Sequence, residues 1–215
     1  MNASESRAEL LALTERMLAS FTAPVLRPFL ADWPASEGSR PAAELDAAPL
    51  PVLRWLPKIA ADAEARAPRT GSALVSALCR AAPLLAWRQT YTLNQVGTAF
   101  LENYGWTELL GPRSQEAPGQ IACGLLLLGP HTLYPHHRHE AEEIYVPLYG
   151  TADWQQGDAI WRQRAPGALI HHRSEEAHAM RTDAEPLLAL YLWRGANLSE
   201  QARLDRPGTA ARGAP

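Results

Sequence analysis

All seven histidines of this 215-residue chain fall between His131 and His178. Four of them join a glutamate and a tyrosine in one pattern: His137-x-His139-x-x-x-Glu143-x-Tyr145, then His178 after a turn-rich gap. On a β-strand, side chains at i, i+2 and i+4 share a face. Positions 137, 139, 143 and 145 have the same parity. One extended segment can therefore point two imidazoles, a carboxylate and a phenol into one cavity, and this stretch must be β-structure for that to happen. Imidazole and carboxylate together suit zinc, iron, nickel or manganese.

The rest of the composition limits the partners. Hydrophobic residues make up 47% of the chain, enough for a sizeable core, and the net charge is −3 without a basic stripe. Nucleic acid is not an expected partner. Cys79 and Cys123 lie in apolar surroundings and read as buried hydrophobes. Glu15 and Arg16 interrupt the first apolar run, so the N-terminus does not read as a signal peptide. No stretch is long and apolar enough to span a bilayer. The expectation is a soluble cytoplasmic protein with a small-molecule substrate and no membrane partner; a homodimer is compatible with it.

Residues 1–112 read as a helical N-terminal region that packs on a β-barrel formed by the second half of the chain. Ser4 or Ser6 is placed to cap a first helix carrying Leu10, Leu11, Leu13, Met17, Leu18 and Phe21 at helical spacing. Prolines 34, 41, 49 and 51 break the next stretch. Further helices are predicted over Leu56–Ala67, from Ser72 to before Pro83, and over Asn94–Tyr104. This half has no histidine, so its expected job is to cover a barrel opening or edge strand, and a fragment beginning near Gln115 is expected to bind metal if it stays soluble. After Gly111-Pro112 the texture changes. Ile121–Leu128, Glu143–Tyr149 and Leu187–Trp193 are short apolar runs fit for strands, and Gly157 marks a hairpin between 152–156 and 158–162. Residues 113–205 thus read as a small β-barrel, and residues 206–215 as a disordered tail.

The segment HRHEAEEIYVPLYG has the spacing His137-x-His139-x3-Glu143-x6-Gly150 of the first cupin motif. The glycine that precedes this motif in cupins is replaced by His131, and the nearest glycine is Gly129. Pro166-Gly167 supplies the turn of the second motif, whose histidine is His178; Thr182 stands where cupins often have asparagine. Tyr134, His137, His139, Glu143, Tyr145, His178 and Trp193 together resemble the cupin-type dimethylsulfoniopropionate (DMSP) lyases, over roughly residues 120–195. The resemblance implies a mainly β fold, a single jelly-roll cupin barrel preceded by helices. It implies one divalent transition metal (zinc, iron, manganese or nickel) on His139, Glu143 and His178, often with His137 and Tyr145; the set expected here is His137, His139, Glu143 and His178. It also implies Tyr145 as the base and Tyr134 and Trp193 as substrate-binding walls.

The residues themselves suit such chemistry. DMSP carries a carboxylate and a dimethylsulfonium cation. A cation on the carboxylate acidifies the adjacent C–H, and a base that removes that proton expels dimethyl sulfide and leaves acrylate. A phenol has a pKa of about 10, and nearby positive charge favours its ionised form. Aromatic rings, Tyr134 and Trp193 with Trp154 or Trp161, suit the sulfonium end. Other readings stay open at this point. Tyr145 can be a passive hydrogen-bond donor and Trp193 ordinary barrel core. The protein can be another cupin metalloenzyme for a small carboxylate, an isomerase or oxygenase, or a non-catalytic ligand-binding cupin. His131, His136, His171 and His172 have no assigned role; a surface position, or one just behind the ligands, is expected for the last three.

Overall fold

The computed structural model describes residues 2–34, 49–65, 71–113 and 119–205. The predicted disordered tail, 206–215, lies outside them. Two helices open the chain, α1 (Ala3–Ala19) and α2 (Arg27–Ala31), followed by α3 (Leu56–Ala65) and α4 (Ser72–Ala81). The cap of α1 is Asn2, not Ser4 or Ser6. Its side chain accepts from the Glu5 backbone while the Glu5 carboxylate accepts from the Asn2 backbone, a reciprocal pair that satisfies two otherwise orphaned N–H groups.

A short strand β1 (Trp87–Arg88) and helix α5 (Leu93–Leu101) lead into β2 (Tyr104–Leu110), β3 (Ile121–Leu128), β4 (Leu133–Arg138), β5 (Glu142–Tyr149), β6 (Ala152–Gln156), β7 (Arg162–Arg164), β8 (Ile170–His172), β9 (His178–Thr182), β10 (Leu187–Arg194) and β11 (Arg203–Leu204). Residues 87–88 and 104–110 are therefore sheet, where the sequence predicts a helical region up to 112. Strand β2 pairs along β3 from Tyr104↔Leu128 to Leu110↔Cys123. It has apolar contacts on both faces, so it lacks the alternation that marks a half-exposed strand. The hairpin at Gly157 exists, but its second arm starts at Arg162.

Two sheets face each other. One has the order β1-β2-β3-β10-β5-β8, the other β11-β4-β9-β6-β7. The architecture observed is thus mainly β, two facing sheets preceded by helices, and the described strands form two sheets rather than the closed barrel expected. The first sheet is a middle layer. Leu125, Leu127, Ile144, Val146, Leu148, Leu188, Leu190 and Leu192 on its outer face join the helical residues Leu10, Leu18, Leu74 and Leu78 in one core. Leu126, Leu128, Tyr145, Ala189 and Tyr191 on its inner face meet Tyr134, Trp154 and Met180 of the second sheet. Burial on both faces is why the three apolar runs are unbroken. At Gly150, the last residue of the first motif, φ is +77° and an added Cβ would lie 2.0 Å from the Pro186 carbonyl oxygen; both conditions demand glycine.

Candidate metal centre and its cavity

The first motif does not run as one strand. Strand β4 ends at Arg138, the chain turns through His139–Ala141, and β5 begins at Glu142. His137 and His178 are cross-strand partners in the second sheet, whereas Glu143 pairs with Trp193 and with His172 in the first. The parity argument holds within β5, where Glu143 and Tyr145 face the same way. The histidines reach them across the space between the sheets. The turn carries His139 from one sheet to the other.

Each of the three histidines is locked by its own chain. The Nδ1 atoms of His137, His139 and His178 lie 2.9 Å from the carbonyl oxygens of Pro135, Ala141 and Glu176. Donation from Nδ1–H to these carbonyls leaves Nε2 as the nitrogen with a lone pair to offer, the arrangement that orients metal-binding imidazoles. All three side chains are buried, and their ligand atoms lie within 4.8 Å of one another. This cluster can hold a metal ion. His178 Nε2 is buried and faces Glu143 Oε2 at 3.1 Å, which fits a metal-ligand role.

Glu143 joins the cluster from β5. Its Oε2 lies 3.0 Å from His139 Nε2 and 3.1 Å from His178 Nε2, and its Oε1 accepts from the Trp193 indole N–H at 2.6 Å. Burial works to raise the pKa of this carboxyl, but the charge and hydrogen bonds of His139 and His178 outweigh it and hold Glu143 well below the usual carboxylate range. Burial lowers the pKa of His137, reinforced by His178. For His139 burial pulls the same way, but Glu143 more than compensates, and the net shift is upward. Tyr145 is buried, and burial together with the adjacent Glu143 carboxylate pushes its phenol well above 10. In the chain by itself that phenol is protonated.

A cavity of about 180 Å³ opens beside these groups, lined among others by His137, Glu143, Tyr145, Tyr134, Tyr191 and Trp193. Drug-sized ligands occupy about 300–1,000 Å³, so the space suits a small molecule. Tyr134 stacks on the His137 ring at 4.0 Å and 7°, and its hydroxyl shares a 3.0 Å hydrogen bond with Tyr91. All the residues read as site residues from the sequence thus gather here.

Several others carry no such signal in the sequence. His172 takes the second of its two expected positions, just behind His178: it is buried, stacks on that ring at 3.9 Å and 13°, and neither ring nitrogen has a partner among the described residues. Burial lowers its pKa to about 2, aided by His178. Tyr191 lies two positions before Trp193 on β10, so strand parity alone points it into the cavity. Arg88, Gln89, Thr90, Tyr104, Trp106 and Glu108 also line the cavity, although the sequence suggests no site role for residues 1–112. Trp154 packs behind Tyr145 at 5.0 Å, and Trp161 carries Arg181 at 4.5 Å; neither lines the cavity. His171 pairs with Glu142 at 2.7 Å, half-buried, away from the cluster. His131 is exposed at the barrel rim with φ +52°, in the place where the motif has glycine.

Two facing sheets with imidazoles gathered between them define a cupin-fold protein with a histidine cluster that can hold a metal ion. Residues 36–189 match the dimethylsulfoniopropionate lyase family model, and the chain belongs to that family. It is 33% identical over 124 residues to the dimethylsulfoniopropionate lyase DddQ of Ruegeria pomeroyi, covering 58% of this chain and 62% of that protein. It is 36% identical over 134 residues to the putative dimethylsulfoniopropionate lyase DddL of Cereibacter sphaeroides, covering 61% of this chain and 53% of that protein. The chain thus matches little more than half the length of these relatives. A crystal structure from work on the DMSP lyases RdDddP and RnDddQII superposes with a TM-score of 0.80 at 32% identity, covering 95% of this chain and 100% of that one. The crystal structure of Ruegeria pomeroyi DddQ gives 0.73 at 27% identity, covering 95% and 98%.

Proposed function

We propose that this protein is a metal-dependent carbon–sulfur lyase that cleaves DMSP to acrylate and dimethyl sulfide. The observation that carries the reading is the juxtaposition of Tyr145 and Glu143 on β5 with the three locked imidazoles, Glu143 touching two of them, beside one small aromatic cavity. Family membership supports the substrate. His137, His139 and His178, with Glu143 as the fourth ligand, would hold one divalent transition metal. When bound, such an ion supplies a Lewis-acidic charge that draws in a carboxylate and acidifies the C–H beside it.

The chain's residues do the rest. Tyr145, as phenolate, takes the proton from the carbon next to the substrate carboxylate. The electron pair forms the carbon–carbon double bond while the carbon–sulfur bond breaks, so acrylate and dimethyl sulfide leave and the proton remains on the phenol until solvent removes it. Burial and Glu143 both oppose the phenolate, so the base form needs compensating positive charge nearby. Tyr134 and Trp193 offer ring faces to the sulfonium, worth about 0.5–2 kcal/mol per ring when desolvated. Trp193 has a second role, because its N–H orients Glu143.

Headspace detection of dimethyl sulfide after anaerobic mixing of DMSP with metal-loaded protein tests the reading. Sulfide release is expected, and Tyr145→Phe should keep the metal but lose about 10²–10⁴ in rate. No sulfide from the loaded wild-type protein would overturn the assignment. A Tyr145→Phe protein within a few-fold of wild type would remove Tyr145 as the base.

A further inference from the structure

One arginine outside the histidine cluster binds a chain segment as well as a carboxylate. Arg113 follows β2, and its guanidinium donates to three successive backbone carbonyls: Nη1 to Leu198 at 3.0 Å, and Nη2 to Ser199 at 2.7 Å and Glu200 at 3.2 Å. The guanidinium is itself positioned. Glu108, buried, lies 3.6 Å from Nη1 and also accepts from the Arg113 backbone N–H, while the Trp106 ring lies 5.6 Å below the guanidinium carbon.

The segment held this way forms part of the cavity wall. Glu200, Gln201 and Ala202 line the cavity together with Arg113, Glu108 and Trp106. Leu198 packs against Ala122, Ala141 and Trp193, and Trp193 holds Glu143. An aromatic row of Trp106, Tyr191 and Trp193, with successive rings 6.5 and 6.3 Å apart, runs from the arginine toward the histidine cluster. With the substrate carboxylate at the histidines, the sulfonium end meets this row and the segment that closes it.

We propose that Arg113 is a positioning residue that clamps residues 198–202 over the cavity, and that this clamp determines how bulky a sulfonium group is accepted. The selectivity half rests on the lyase reading; the clamp half does not. A guanidinium can reach three carbonyls from one planar fork, which a lysine ammonium cannot reproduce. Without it, the segment keeps the packing of Leu198 and the Glu200 contact to the Glu140 backbone N–H, but loses its hold on the β2 side.

Two measurements test this on the full-length protein. Amide exchange without substrate should rise at least ~10-fold over residues 197–202 in Arg113→Ala while the strands stay protected. In steady-state kinetics, the ratio of kcat/KM for the diethyl analogue over the dimethyl substrate should rise at least ~5-fold in Arg113→Ala, mainly through KM. Arg113→Lys should fall between, and it supplies both readouts if Arg113→Ala does not fold. Unchanged exchange would sink the clamp. A faster-exchanging segment with both substrates slowed by the same factor would sink the selectivity role. A wild-type protein inactive on both substrates would remove the lyase reading and the selectivity role together, while exchange still decides the clamp.

Discussion

His131 takes φ +52°, a conformation that costs a side-chain-bearing residue about 1–2 kcal/mol. Its backbone N–H donates to the Asp183 carbonyl at 2.8 Å, which glycine would keep, and its imidazole makes only a loose approach to the exposed Asp183 carboxylate, at 3.8 Å. His131→Gly should therefore raise stability by about 0.5–1 kcal/mol, after the extra entropy glycine loses on folding; a lower denaturation midpoint would mean the imidazole makes a contact worth more than the strain. Trp193 is the other residue whose role the structure changes. Its N–H fixes Glu143 at 2.6 Å, and partners that orient metal ligands are worth about 10–100-fold in metal affinity or activity. Trp193→Phe keeps a ring on the cavity wall and loses the donor. It is expected to weaken metal retention in a chelator competition by that factor, whereas an affinity equal to wild type would reduce Trp193 to a wall.

Strand β11 shows how ion pairs hold a short element: Arg203 pairs with Glu175 and Glu200, and Asp205, just past the strand, pairs with Arg138. It pairs Arg203↔Arg138 and Leu204↔His137, beside the metal cluster, and is too short to pair stably by itself. Arg138 grips Asp205 through two bonds of 2.7 and 2.6 Å, the bidentate geometry that makes such pairs stronger than most. The hydrogen bond from Arg138 lowers the Asp205 pKa below 3.8. A carboxylate with a depressed folded pKa contributes stability above its unfolded pKa and loses it as pH falls through the folded value. The strand should hold at neutral pH and loosen only below about 3.8. Asp205→Asn should mimic the acid state at neutral pH, with faster amide exchange at residues 203–205 and little change in β4; equal exchange in both proteins would assign the strand's hold to other contacts.

At the scale of the molecule, the first sheet depends on the helices. Eight apolar side chains of its outer face, from Leu125 to Leu192, are buried against α1, α3, α4 and their neighbours. At about 1.5–3 kcal/mol for each buried side chain, exposing them costs on the order of 10–20 kcal/mol, as much as the whole stability of a typical domain. A fragment beginning near Gln115 also lacks β1 and β2. Contrary to what the histidine distribution suggests, such a fragment should be insoluble or unfolded and bind no metal tightly; a soluble, cooperatively melting fragment would refute this. In the intact chain, metal at a hundredfold excess over its dissociation constant should add about 2.7 kcal/mol of stability, visible as a rise in melting temperature that a chelator reverses and that is absent in His139→Ala.

What could be read from the sequence was the local chemistry. Histidines confined to one region, the spacing of His137, His139 and Glu143, and the tyrosine two residues on all rest on strand parity and ligand type, which are properties of short segments. The mainly β second half, the helices before it and the residues of the cluster were legible for that reason. Tertiary structure alone decided the rest. His137 and Glu143 lie in opposite sheets, so the turn at His139, not one continuous strand, brings them together. Strand β2 carries Trp106 and Glu108 to the cavity only because it pairs with β3, and a strand buried on both faces leaves no periodic mark. His172 is buried behind His178 because β8 pairs with β5, and Arg113 finds the carbonyls of Leu198, Ser199 and Glu200 across 85 to 87 residues of chain. Contacts of that span depend on how sheets stack and where the chain closes on itself, and no local pattern of residues encodes them.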